Sequence, residues 1–301
     1  MGTVRGIANG LAVCLLFIAL SAYPISNASS AEKTEGQGSI EISPDKELFF
    51  LGNTFHVLLH EFGHVLIQDL DLPVLGREED AADTIATLLV LGIARKSPDS
   101  NNPFIESLLA TAQAWQLVWE QEQRENQALQ FWSRHSLSAQ RFYNIVCFIY
   151  GSDPERFARL PKAAKLPEAR SEWCEEELEL AARSLRRLGE LKALEKQALS
   201  DEKTGSIAVV YDEPQTALSS ALLAALRQTQ MIEKLAEHFE TRFALPADLK
   251  VRVWACGFPG AGWDPEAREL NLCYEFMELY YGLAERADPD ARKRLLERAS
   301  H

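Results

Sequence analysis

The chain has 301 residues, 47% hydrophobic and 25% charged, the balance of a globular protein rather than a fibrous or disordered one. A net charge of −13 argues against nucleic acid or an anionic membrane surface as partner.

Residues 1–31 read as a secretory signal. Arg5 supplies the positive start, and Leu11–Leu20 is an apolar run too short to span a bilayer. Ser26-Asn27-Ala28 and Ser29-Ser30-Ala31 offer small residues for cleavage; an uncleaved anchor is the alternative reading. The mature protein is then exported, periplasmic or secreted, with no stable membrane anchor. Its oligomeric state is not legible. Residues 32–46 are a polar, flexible lead-in in which Ile40 and Ile42 alternate like a short strand and Asp45 is placed to cap a helix.

Residues 47–200 read as a helical region. Its first helix carries His60-Glu61-Phe62-Gly63-His64, an HExxH motif flanked by apolar residues nearly all round. Residues four apart share a helix face, so His60 and His64 aim two imidazoles at one point, as a tetrahedral zinc site requires. Glu61 is rotated about 100° from His60, close enough to serve water at such a metal without ligating it. His56 extends the stripe, but it lies eight residues from His64, roughly 12 Å along the axis, too far to share one ion. Leu72-Pro73 ends the helix, Pro73–Gly76 turns, and a second helix over Arg77–Ala94 returns antiparallel. Glu79 is the expected third ligand. Asp83, one turn on, is the expected acceptor for a histidine N–H. Asp80 is the runner-up ligand, and plain negative charge at a helix N-terminus is the bland alternative.

Further helices are expected over Asn101–Gln130, Ser138–Tyr150 and Glu168–Leu199. Residues 201–301 change character. Ile207–Tyr211, Lys250–Trp254 and Leu270–Tyr274 read as strands, Thr216–Phe243 and Glu275–Leu283 as helices, with a charged tail beyond. Removing Cys14 with the signal leaves Cys147, Cys174, Cys256 and Cys273, an even number in an exported chain. Of three connectivities, Cys147–Cys174 with Cys256–Cys273 is favoured because each pair bridges consecutive elements. His135, in a polar loop, is a candidate donor to a reaction oxyanion, with Tyr143 and Tyr274 as rivals.

Glu79-Asp80-Ala81-Ala82-Asp83 behind HExxH resembles the gluzincin zinc metallopeptidases, in which a Glu-x-x-Ala-Asp pattern follows on the next helix. More closely, His60–His64, Leu72–Asp83, His135–Asn144 and Cys273-Tyr274-Glu275 resemble a bacterial domain-of-unknown-function group known only as "putative metallopeptidases". In that family Cys-Tyr-Glu often precedes HExxH; here it follows, an order that circular permutation would produce. The expected fold is α+β, mainly helical and zincin-like, with residues 201–301 supplying a small sheet that packs on the HExxH helix and completes the same domain. In that architecture an edge strand pairs with the substrate backbone. The expected function is hydrolysis of peptide bonds in a peptide or protein substrate, with one zinc ion activating water and Glu61 as general base. The competing reading is a non-catalytic, zinc-stabilised binding or structural protein of the cell envelope.

Overall fold

Pro44 fixes φ and lacks the N–H that a first helical residue leaves unpaired, so the helix carrying HExxH starts there as α1 (Pro44–Asp69). The capping position therefore falls on Ser43; Asp45 lies inside the first turn, paired with Lys293 at 2.8 Å, rather than capping as expected. The computed structural model describes residues 40–95, 102–198 and 205–296; the expected signal sequence, most of the lead-in and the turn at 203–204 lie outside them. Ile40 and Ile42 form no strand, since neither edge of the sheet receives them.

From Phe49 to Ile67 α1 is buried on almost every side, as its apolar sequence requires. It packs on α2 (Glu78–Ala94), α3 (Pro103–Arg124) and α10 (Tyr274–Leu283). Between these come α4 (Ser138–Ser152), short α5 (Leu160–Ala163) and α6 (Glu168–Ser171), and α7 (Cys174–Ala198). The helix expected from Glu168 breaks before Cys174, whose disulfide to Cys147 anchors α7 on α4.

The remainder is β1 (Ile207–Tyr211), α8 (Ala217–Thr229), α9 (Met231–Arg242), β2 (Leu249–Trp254), β3 (Ala261–Asp264), β4 (Glu269–Cys273), α10 and α11 (Pro289–Leu296). Two elements differ from expectation here. The single helix over 216–243 is two helices, because Gln230 adopts a left-handed φ of 53°; no glycine or proline marks the break. β3 follows Pro259-Gly260, which reads as loop, and becomes a strand only by pairing antiparallel with β4. The fold is mainly helical with one mixed sheet in the order β1-β2-β4-β3, the first three parallel.

Edge strand β3 lies along α1. Cys273 N–H donates to Gly260 O at 3.0 Å, so Gly262 and Asp264 bond to β4 while the backbone groups of Ala261 and Trp263 point outward. Two ties hold the strand in place. The Trp263 indole N–H donates to Gln68 Oε1 at 3.0 Å, and Arg268, in the β3–β4 turn, donates to both carboxylate oxygens of Asp69 at 2.8 Å. Among the described residues no helix is long and apolar enough to cross a membrane.

Candidate metal centre

His60 and His64 project from one face of α1 with their Nε2 atoms 3.2 Å apart. α2 runs beside them because Gly63 permits it: a Cβ there would lie 3.1 Å from the Cα of Ala82, itself small and fully buried. This close approach places Glu79, buried near the start of α2, so that its Oε2 lies 3.4 Å from His60 Nε2 and 3.3 Å from His64 Nε2. His135, on the loop before α4, brings Nδ1 to 3.0 Å from the same oxygen. Despite three close imidazole nitrogens, Glu79 Oε2 makes no hydrogen bond of acceptable geometry. Close approach without hydrogen-bond angles is what lone pairs aimed at a common point produce. His60, His64 and Glu79 form a group compatible with a metal ion.

The other imidazole nitrogens are held by carboxylates, as in the supported histidines of metal sites. His60 Nδ1 lies 2.8 Å from Asp83 Oδ1, and His64 Nδ1 lies 2.7 Å from Glu78 Oε1. Asp83 also accepts from Arg141 Nη2. Glu78 further accepts from Gln68 at 3.4 Å, which connects His64, through Gln68, to Trp263 on the edge strand.

The cluster favours charged side chains despite its burial. Burial alone would raise the Glu79 pKa, but His135, His60 and His64 outweigh it and hold the carboxyl well below its usual range. Burial likewise opposes ionisation of Asp83, and Arg141 and His60 overcome it. Burial disfavours a charged His60, yet Asp83 and Glu79 raise its pKa. Glu61 is 1% exposed, its Oε1 has no partner, and burial raises its pKa; the Trp263 backbone N–H and the two histidines favour its charged form.

Asp80, the runner-up ligand, is turned to Arg77 at 2.7 Å and accepts from Ser136 Oγ at 2.7 Å. His56 stands apart, with Nε2 3.2 Å from Thr87 Oγ1, and burial lowers its pKa to about 4. Tyr143 packs among Trp119 and Phe142, and Tyr274 donates to the Asp212 carbonyl, so neither adjoins the cluster. The sequence reading missed Glu78, Gln68, Arg141 and Trp263. Arg141 lay within the His135–Asn144 stretch of the resemblance, and Glu78 beside the expected ligand; Gln68 and Trp263 carried no signal, because they meet only when β3 packs on α1. The four cysteines form Cys147–Cys174 and Cys256–Cys273, the favoured connectivity.

A family model described as "Putative metallopeptidase" matches residues 12–188 and 211–300. Comparison with curated proteins and with solved structures gave no significant match. With a match over most of its length and a metal-compatible His-His-Glu group at HExxH, the chain belongs to the family so described.

Proposed function

We propose that the chain is an exported zinc-dependent peptidase in which His60, His64 and Glu79 hold the metal and Glu61 is the general base. The observation that carries this reading is the spacing of the three donor atoms: 3.2, 3.3 and 3.4 Å. Tetrahedral zinc, with bonds of about 2.0–2.2 Å to nitrogen and oxygen, needs donors roughly 3.3–3.6 Å apart. Three protein ligands leave a fourth position open, as catalytic rather than structural sites do.

A zinc ion, when bound, supplies a Lewis acid for water and for the scissile carbonyl. The protein does the rest. Glu61 takes a proton at its unpartnered Oε1 and returns it to the leaving amine; burial, which raises its pKa, suits it to both tasks. Asp83 and Glu78 fix the imidazoles of His60 and His64 with Nε2 toward the metal. The His135 imidazole, beside Glu79 and partly exposed, is the proposed group facing the oxyanion. An extended peptide substrate would run along edge strand β3, whose outward Trp263 N–H faces Glu61. Residues 47–200 and 201–301 act as halves of one domain, a reading supported by the ties of Gln68 and Asp69 to β3 and its turn. Two disulfides are compatible with export.

The test is Glu61→Gln. It keeps the shape and removes the proton-accepting carboxylate, so the variant should bind zinc like wild type and hydrolyse a peptide library about 10²- to 10⁴-fold more slowly. Unchanged hydrolysis at equal zinc would assign the activity to another site or a contaminant. A zinc-replete wild type inactive on every peptide would favour a zinc-stabilised binding protein.

A further inference from the structure

On the side of α1 away from the metal cluster the structure holds an apolar groove of about 830 Å³, within the roughly 300–1,000 Å³ typical of small-molecule sites. Its walls are all helical: α1, the C-terminal half of α2, the start of α3, the end of α8, and α9. Leu48, Leu51, Leu88, Leu89, Ile93 and Phe104 line it, and each is only partly buried by the protein. Gly92 also lines it. A Cβ built on this glycine meets nothing within 4 Å, so packing does not demand a residue that disfavours helix by about 1 kcal/mol against alanine. What the glycine does is leave the groove open.

The charge at the groove is one-sided. Lys234, His238 and Arg242 follow one another at four-residue intervals along α9 and line one rim, in a chain whose net charge is −13. Lys234 Nζ also donates to the Thr229 carbonyl at 2.7 Å. Glu47 is the one acidic lining residue among those described. An apolar trough with a cationic rim complements a molecule with an apolar tail and an anionic head. The walls exclude an extended peptide, because helix backbones satisfy their own hydrogen bonds and offer no partners to the groups it would bury. An alkyl chain buries no polar group. The overall negative charge disfavours docking on an anionic bilayer.

We infer that this groove binds a free single-chain anionic amphiphile of the fatty-acid class, with the alkyl chain along α1 and α2 and the carboxylate at Lys234 and Arg242. The inference is independent of peptidase activity, since none of the metal-cluster residues lines the groove.

Calorimetric titration of the delipidated protein with dodecanoate tests it, with dodecanol as the uncharged control. Dodecanoate should bind about one to one. Gly92→Phe, which fills the open space, should weaken binding of both probes at least tenfold while leaving zinc stoichiometry unchanged. Lys234→Gln/Arg242→Gln should weaken dodecanoate at least tenfold and dodecanol hardly at all. Gly92→Leu serves if the larger residue impairs folding. No dodecanoate binding, or binding indifferent to Gly92 and to the cations, overturns the inference. So does a preference for phosphatidylglycerol vesicles or for an acidic amphipathic helical peptide over dodecanoate, either of which would reassign the groove.

Discussion

Arg141 supports the His60 side of the metal-compatible group from outside it. It is 7% exposed, lies with its guanidinium 3.9 Å from the centre of the Trp115 ring, and donates to Asp83, which in turn holds His60. Arg141→Gln should leave the partly buried Asp83 without its cation, costing about 2 kcal/mol of stability and about 10- to 100-fold in zinc affinity. Competition with a chromophoric chelator, beside urea denaturation, separates the two effects; unchanged zinc affinity would reduce Arg141 to a packing residue. His56 makes a different residue-scale prediction. Its folded pKa, about 4 by burial, lies below the ordinary value of 6.5. The unfolded chain therefore binds the extra proton first, and stability is complete above pH 6.5 and falls as pH drops from there toward 4. Between pH 7 and 5 the loss from this group should be about 2 kcal/mol. Urea midpoints of metal-stripped wild type and His56→Gln should diverge over that window; parallel curves would show that His56 ionises normally in the folded protein.

At the scale of elements, the contact that matters is α1 against α2. Helix propensity predicts that Gly63→Ala stabilises α1 by about 1 kcal/mol. The structure predicts the reverse, because the new Cβ would meet the Ala82 backbone at 3.1 Å, and overpacking of this kind costs about 1–3 kcal/mol. Separating the helices also draws Glu79 away from His60 and His64. Gly63→Ala should therefore lower both the melting temperature and the zinc affinity, as thermal unfolding with and without zinc would show. A more stable variant with unaltered zinc binding would mean that the helices yield freely. Much of this element level was legible. Leu72-Pro73 and the Glu79–Asp83 spacing fixed two antiparallel helices, and β1 was read at its observed bounds. The break at Gln230 and strand β3 were not, since one is a dihedral choice without a marker residue and the other exists through pairing with β4.

Across the whole molecule, the two disulfides have separable roles. Cys147–Cys174 joins α4 to α7. Cys256–Cys273 closes the loop leading into β3, where Glu275 also accepts from the Cys256 and Gly257 N–H groups at 3.1 and 2.7 Å. Replacing the first pair by serine should cost about 3 kcal/mol with little change in the rate of the zinc-loaded protein. Replacing the second should in addition slow peptide hydrolysis, because the Trp263 N–H of β3 faces Glu61. Equal rates in both variants would show that β3 holds its position without the bridge.

Residue spacing alone determined the metal-compatible group of His60, His64 and Glu79. It depends on helical periodicity and a short turn, which act over a few residues and are written locally. The cysteine pairing was legible for a related reason: each bond joins neighbouring elements. Asp83, the expected support of His60, was legible in the same way; tertiary structure alone decided the supports beyond it. Arg141 reaches Asp83 across 58 residues, and Trp263 reaches Gln68 across 195. The groove behind α1 is formed by helices as distant as α2 and α9. Such contacts arise from the packing of whole elements, and no local pattern in the chain encodes where two remote surfaces meet.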